Sequence, residues 1–341
     1  NADFDKDGKE DLLVLGRQVP GKYPLPAKSF ILKNSSKEGK VKFEEYPTPL
    51  GNQLDSLGMA TSAVITDFNN DDRLDIMIVG EWMPIKVFEN TKTGFKDVSA
   101  KMGLADTEGW WWSINEGDFD GDGDMDYLVG NNGLNYEHKA TKKETFDVYA
   151  LDFDENGKMD IVLGYYEDGV QYPVRGRMPS SQQIPAIKFK FETSEAFSHA
   201  TLADVYTKKS LDEALHYQVK TFASIYLENK GGTFEIHELP YQAQLSNINQ
   251  ILIDDYDQDG NLDALIAGNL YGSEIETARI DSGYGLFLKG NGKGGFIPVP
   301  VYESGFFTPG DVKDMRSIEF KNDTYVISAK NNDYLQFIIL L

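Results

Sequence analysis

The 341-residue chain contains no cysteine, which excludes disulfide frameworks and zinc–thiolate sites. Histidine is scarce too. His138, His199, His216 and His237 are widely spaced, and none forms a metal or nucleophile pattern. Neither a glycine-rich phosphate loop nor a Gly-x-Ser-x-Gly elbow occurs. Lysine and arginine number 33 against 55 acidic residues, for a net charge of −22. With no basic patch to oppose it, that balance argues against nucleic-acid phosphates as a ligand. No apolar run approaches the ~18 residues of a transmembrane helix. Hydrophobic residues still make up 40% and aromatics 12%, which marks a folded chain with a large core and not an acidic disordered tail.

What the chain does have is one acidic pattern written five times, beginning at Asp3, Asp67, Asp118, Asp152 and Asp255. The first copy reads Asp3-Phe-Asp5-Lys-Asp7-Gly8-Lys9-Glu-Asp11, and Leu-Leu-Val-Leu-Gly16 follows it. Calcium is a hard cation that takes about six to eight oxygens. A tight loop can offer it side chains from positions 1, 3, 5 and 9 and a backbone carbonyl from position 7. Positions 1, 3, 5 and 9 are Asp3, Asp5, Asp7 and Asp11; Asp67, Asn69, Asp71 and Asp75; Asp118, Asp120, Asp122 and Asp126; Asp152, Asp154, Asn156 and Asp160; and Asp255, Asp257, Asp259 and Asp263. Position 7 varies among Lys9, Arg73, Asp124, Lys158 and Asn261, as a backbone role allows. Position 6 calls for glycine, and Asp72 in the second loop is the exception, so that loop is expected to be the most strained and the least readily filled. Asn69 and Asn156 keep an oxygen but lose a charge, which weakens their loops.

The EF-hand needs a glutamate at position 12 and flanking helices. Here position 12 is apolar in every copy: Val14, Ile78, Val129, Leu163 and Ile266. The runs after the loops are short, apolar and bounded by turn residues, so they read as buried strands. The unit is strand, calcium loop, strand, and the chain has up to five Ca2+ sites. The ligand aspartates supply most of the acidic excess, so removing metal should leave them repelling one another and loosen the fold.

A second repeat lies between the loops. Ile31–Asn34 leads to Phe43, Val87–Asn90 to Phe95, Tyr226–Asn229 to Phe234, and Phe287–Gly290 to Phe296, each with hairpin turn chemistry. Two hairpins make a four-stranded unit of roughly 50–60 residues, the period of a β-propeller blade. The loop starts are 64, 51, 34 and 103 residues apart. The short step predicts a small blade or one lacking its outer hairpin. The long step predicts an insertion over 168–220, helical over Ser194–Tyr206 and Ser210–Val219, with a capping box at Ser210–Glu213. Residues 316–341 alternate apolar and polar and read as the closing blade. The chain opens at Asn1 without the strand expected before the first loop, so it is read as a fragment of a longer protein, a single propeller domain over 1–341.

The loops with their trailing Leu/Ile/Val-Gly segments resemble FG-GAP/VCBS repeats, the units of integrin-α-like propellers. Trp110-Trp111-Trp112, Gly130-Asn-Asn-Gly-Leu-Asn135 and Leu239-Pro-Tyr-Gln-Ala-Gln244 are similar to bacterial surface proteins that carry an ASPIC/UnbV segment. No literal Phe-Gly-x-Gly-Ala-Pro string occurs. The resemblance implies an all-β propeller of six to seven four-stranded blades, with seven favoured, and an extracytoplasmic location at a Gram-negative surface. It also implies association with a glycan or surface protein, including an outer-membrane nutrient-uptake complex. It fixes no single activity.

Two function classes follow. The leading one is a calcium-stabilised binding module. Its candidate contacts are the insertion and the tryptophan run, because three consecutive tryptophans on a strand cannot all face one core. The alternative is a propeller-type polysaccharide lyase or hydrolase, which needs basic or phenolic groups. Arg175, Arg177, Tyr166 and Tyr172 are the one cluster of that kind.

Overall fold

The computed structural model describes residues 1–46, 54, 57–273, 277–321 and 323–339. These form six antiparallel sheets. The first holds β1 (Leu12–Val14), β2 (Phe30–Asn34) and β3 (Phe43–Glu45). The second runs β4 (Met59–Thr66), β5 (Asp75–Met83), β6 (Lys86–Thr91) and β7 (Gly94–Asp97), with the short β8 (Gly109–Trp110) on β5. The third joins β9 (Ser113–Gly117) and β10 (Asp126–Gly130) to β15 (Ile225–Asn229) and β16 (Phe234–Glu238). The fourth is β17 (Gln250–Asp254), β18 (Asp263–Ala267), β19 (Leu286–Gly290) and β20 (Phe296–Val299). The fifth is β21 (Val312–Phe320), β22 (Asp323–Lys330) and β23 (Gln336–Ile339). The fold is an all-β propeller arrangement in which β4, β9, β17 and β21 are successive neighbours along the inner edge. All four hairpins read from the sequence are present. The closing sheet is present as well, although its residues 322, 340 and 341 lie outside the described set.

The second strand of each blade explains why the segments after the loops are continuously apolar. Side chains alternate across a strand, and these strands are covered on both faces. Ile76 and Ile78 of β5 enter a cluster with Phe4, Ile31 and Phe95, while Met77 and Val79 enter one with Trp111, Tyr127 and Leu227. In β10, Tyr127 and Val129 join that second cluster, and Leu128 joins a third with Ile251 and Leu288. Each full burial of this kind stabilises by about 1.5–3 kcal/mol. The trailing glycines mark close backbone approach: a Cβ on Gly80 would lie 2.2 Å from the Met59 carbonyl oxygen.

The sixth sheet departs from the expected order. It is built of β11 (Phe146–Leu151), β12 (Asp160–Glu167), β13 (Val170–Pro173) and β14 (Leu215–Val219), with β14 returning to the free edge of β11. It lies between β10 and β15 in sequence, so it splits the third blade. The 34-residue step is therefore not a small blade. The third blade recovers its outer hairpin from Tyr226–Asn229 and Phe234 only after the inserted sheet is complete. Within that sheet, residues 174–214 carry five short helices: α1 (Arg177–Gln183), α2 (Ala186–Lys190), α3 (Ser194–Ser198), α4 (Leu202–Tyr206) and α5 (Lys208–Glu213). Two expectations are corrected here. Leu215–Val219 is a strand, because it pairs with β11. The capping box is formed by Thr201 and Asp204 of α4, while Ser210 lies inside α5 and Thr207 caps that helix. The described residues thus supply five consecutive propeller sheets and one inserted sheet.

Candidate functional site

The five acidic loops share one backbone construction. The carboxylate at position 1 accepts the N–H groups of positions 5 and 6: Asp7 at 3.0 Å and Gly8 at 2.8 Å on Asp3, Asp71 at 3.0 Å and Asp72 at 2.7 Å on Asp67, and Asp259 at 3.0 Å and Gly260 at 2.9 Å on Asp255. The Asp152 loop repeats this with Asn156 and Gly157. In the Asp118 loop the donors are Gly121 and Gly123. Position 6 has positive φ throughout, +84° at Gly8 and +63° at Asp72. Aspartate therefore adopts the turn that glycine makes elsewhere. Position 4 is left-handed too, at Lys6, Asn70, Gly121, Glu155 and Gln258.

The aspartate at position 9 is the buried member. One oxygen takes a backbone N–H from the third strand of the blade: Asn34 on Asp11 at 2.8 Å, Asn90 on Asp75 at 2.6 Å, Asn229 on Asp126 at 2.8 Å and Gly290 on Asp263 at 2.8 Å. The other oxygen receives the position-2 N–H in three loops, from Phe119 (3.3 Å), Phe153 (3.0 Å) and Tyr256 (3.0 Å). In the first two loops that second oxygen, Oδ2 of Asp11 and of Asp75, is buried without a hydrogen-bond partner. Both residues are fully buried. Burial pushes the Asp75 carboxyl up to about 7 and the Asp126 carboxyl up to about 6, and raises Asp11, Asp160 and Asp263 in the same direction.

Carboxylate oxygens converge to within 4.8 Å in four loops: Asp3, Asp5 and Asp11; Asp118, Asp120 and Asp122; Asp152, Asp154 and Asp160; Asp255, Asp257 and Asp259. Among the described residues the Asp67 loop forms no such triplet. Its position 3 is Asn69, and Asp71 is ion-paired with Arg73. An all-oxygen donor set around orphaned, buried carboxylate oxygens fits calcium.

Three of the loops also clasp the next blade. The Phe4 ring packs edge-on against Phe95 at 5.4 Å, Phe68 lies 6.4 Å from Phe234, and Phe119 lies 5.2 Å from Phe296. The amide of Asn90 donates to the Phe4 carbonyl at 3.2 Å, and that of Asn229 donates to the Phe68 carbonyl at 2.8 Å. The Asp152 loop has no following blade, and its Phe153 packs on Tyr206 of α4 instead.

Residues 67–129 match the family of FG-GAP-like repeats. The segment is similar to an FG-GAP-like repeat. It reaches from the Asp67 loop through the second blade to β10, so it includes two acidic loops and the blade junction between them. The chain is also similar to T-cell immunomodulatory protein of Mus musculus, at 24% identity over 270 residues. That similarity covers 70% of this chain and 42% of the relative, so the chain spans less than half of that protein's length.

The tryptophan run falls inside the matched segment, ahead of the Asp118 loop. Trp111 is fully buried in the core between the second and third blades and donates to the Thr107 carbonyl at 2.9 Å. Trp110 packs beside Trp82 and Phe146, with ring centroids 4.9 and 6.4 Å away. Trp112 donates to Asn132 at 2.7 Å and carries the Arg17 guanidinium 5.3 Å over its ring. A continuous three-ring platform is thus not what the run builds, because at least one ring is core. Arg175 and Arg177 do not converge on a reaction centre. Arg175 donates to Gln183 at 2.8 Å, and Arg177 donates to the carbonyls of Phe191 and Lys188, which ties the helices of the insertion together. Tyr166 and Tyr172 sit on β12 and β13, each opposite the other's neighbour.

Sequence reasoning missed two groups. Glu81, 1% exposed, is ion-paired with Arg17 and accepts from the Tyr23 hydroxyl at 3.3 Å. Both charged residues directly follow a trailing glycine, which is the signal that could have found them. Lys33 and Lys289 reach the loop carboxylates from neighbouring strands. Their shared place, one residue before Asn34 and Gly290, was equally visible.

Proposed function

We propose that the chain is a calcium-held β-propeller module that binds a glycan or a protein partner outside the cytosol, and that it is not an enzyme. The observation that carries the reading is the pair of buried, unpartnered oxygens on Asp11 and Asp154, each in a loop whose carboxylate oxygens converge. The residues that would hold calcium are the side chains at positions 1, 3, 5 and 9 and the position-7 carbonyls of Lys9, Arg73, Asp124, Lys158 and Asn261. When bound, the cation supplies charge neutralisation that lets these carboxylates stay ionised side by side. The chain does the rest. Position 9 fixes the third strand, and the position-2 aromatic fixes the next blade.

The similarity of residues 67–129 to an FG-GAP-like repeat supports a binding role. Association with an outer-membrane nutrient-uptake complex is the specific form that the resemblance to ASPIC/UnbV-type surface proteins implies. The lyase alternative draws less support, because two of its four candidates, Arg175 and Arg177, hydrogen-bond within the insertion. Ions bound per chain, counted by native mass spectrometry, and capture of glycans or surface proteins with and without calcium test the proposal. We expect several calcium ions and capture that depends on them. A chain that binds no calcium, or that cleaves an acidic polysaccharide, would overturn it.

A further inference from the structure

We propose that Lys33 and Lys289 are built-in counter-cations of the Asp3 and Asp255 loops. They hold those loops folded when calcium is low and make them weaker calcium sites than the Asp118 loop. The inference rests on the calcium reading above and deepens it.

The two lysines belong to blades far apart in sequence yet reach the same two loop positions. Lys33, on β2, is ion-paired with Asp5 at position 3 and lies 3.2 Å from Asp7 at position 5. Lys289, on β19, is ion-paired with Asp257 at position 3 and lies 2.8 Å from Asp259 at position 5. Each sits one residue before the backbone N–H that binds the position-9 aspartate, Asn34 on Asp11 and Gly290 on Asp263. Strand register therefore delivers the ammonium group onto the carboxylates. The same register position is Glu89 in the second blade and Glu228 in the third. The Asp67 loop draws its positive charge from Arg73 on Asp71 instead. Around the Asp118 loop, Glu228 is engaged by Lys230 and by His237 at 3.0 Å. No lysine or arginine is paired with Asp118, Asp120 or Asp122 among the described residues.

An ammonium group shared by two carboxylates removes much of the repulsion that would otherwise open a metal-free loop. Calcium must displace that group to use the same oxygens, so its apparent affinity falls. In the Asp118 loop no ion-paired ammonium has to be displaced, because Lys230, which acts on Asp120 only from a distance, is paired with Glu228. The molecule then has a graded response: the Asp118 loop fills at the lowest calcium, and the lysine-bearing loops fill later.

Calorimetric calcium titration, with ion counting by native mass spectrometry, separates the outcomes. For the unmodified chain we expect one tight step followed by weaker ones. Asp122→Ala should remove the tight step. Lys33→Met and Lys289→Met should each tighten one weak step about tenfold while lowering the metal-free melting temperature. Glu228→Lys should weaken the tight step by a similar factor, which tests the idea without touching either lysine. If calcium binds but the two lysine variants and Glu228→Lys titrate like the unmodified chain, the counter-cation role is wrong and the calcium reading stands. If no variant and no unmodified chain takes up calcium, the calcium reading itself falls.

Discussion

At position 9 of each regular blade one aspartate serves two neighbours at once: the strand that follows it in space and the loop in front of it. That double role is why it is buried while positions 1, 3 and 5 are more open. Asp72 shows how much of the loop is set by the turn alone. Its φ of +63° matches the glycines at the same place, and an aspartate there is strained. Asp72→Gly should stabilise the protein by about 1 kcal/mol, read as a raised urea midpoint with an unchanged slope. His138 carries a pH effect that is independent of the loops. Burial between Phe146 and Tyr165 lowers its pKa, so the folded state disfavours its protonated form. Its contribution to stability is present above the unfolded value and is lost as pH falls through the folded one. His138→Phe should shrink the drop in melting temperature between about pH 7 and about pH 5. An undiminished drop would assign that acid sensitivity elsewhere. The acidic loops were legible because a tight turn with converging carboxylates dictates residue type at fixed spacing. Lys33, Lys289, Arg17 and Glu81 were not, because their roles depend on which strand lies alongside which.

The loop and the hairpin it clasps form the working element. Phe119 touches both Phe296 and Tyr226, so it joins the third blade to the fourth and to its own outer hairpin. Phe119→Ala should cost about 3–5 kcal/mol, measured by denaturant unfolding in saturating calcium, where metal loss cannot be the cause. A loss under about 1 kcal/mol would mean that the clasp is incidental. The outer hairpins were legible from turn residues and an opening phenylalanine, because a local turn fixes a hairpin without help from the rest of the chain. The insertion was harder. The segment containing His216 and Tyr217 has no strong period, and only pairing with β11 makes it a strand. The helix caps fell to Thr201 and Thr207 and not to Ser210, which lies one turn inside the last helix of the insertion.

At the scale of the whole molecule, five sheets follow one another and a sixth is threaded into the third. Spacing between loops could not reveal this, since it counts residues and not strand partners. The inserted sheet meets the blades through Phe146, Val148, Val219 and Phe222 against Met59 and Trp82. Replacing residues 135–220 with a short linker should leave β9, β10, β15 and β16 as one continuous blade that still gains thermal stability from calcium. Removing only 180–218 would cut away most of β14 and should unfold the remainder of the inserted sheet. Soluble, calcium-responsive protein from the short deletion but not from the long one would reverse this assignment. The split also imposes an order on assembly. The Phe68 carbonyl in the Asp67 loop is held by the Asn229 side chain, 161 residues further along. A ribosome delivering this chain N-terminus first therefore exposes the second blade's loop, and the bare edge of β10, for the whole time that the inserted sheet takes to emerge. The inserted sheet, whose strands and helices are contiguous in sequence, is the part able to fold during that wait.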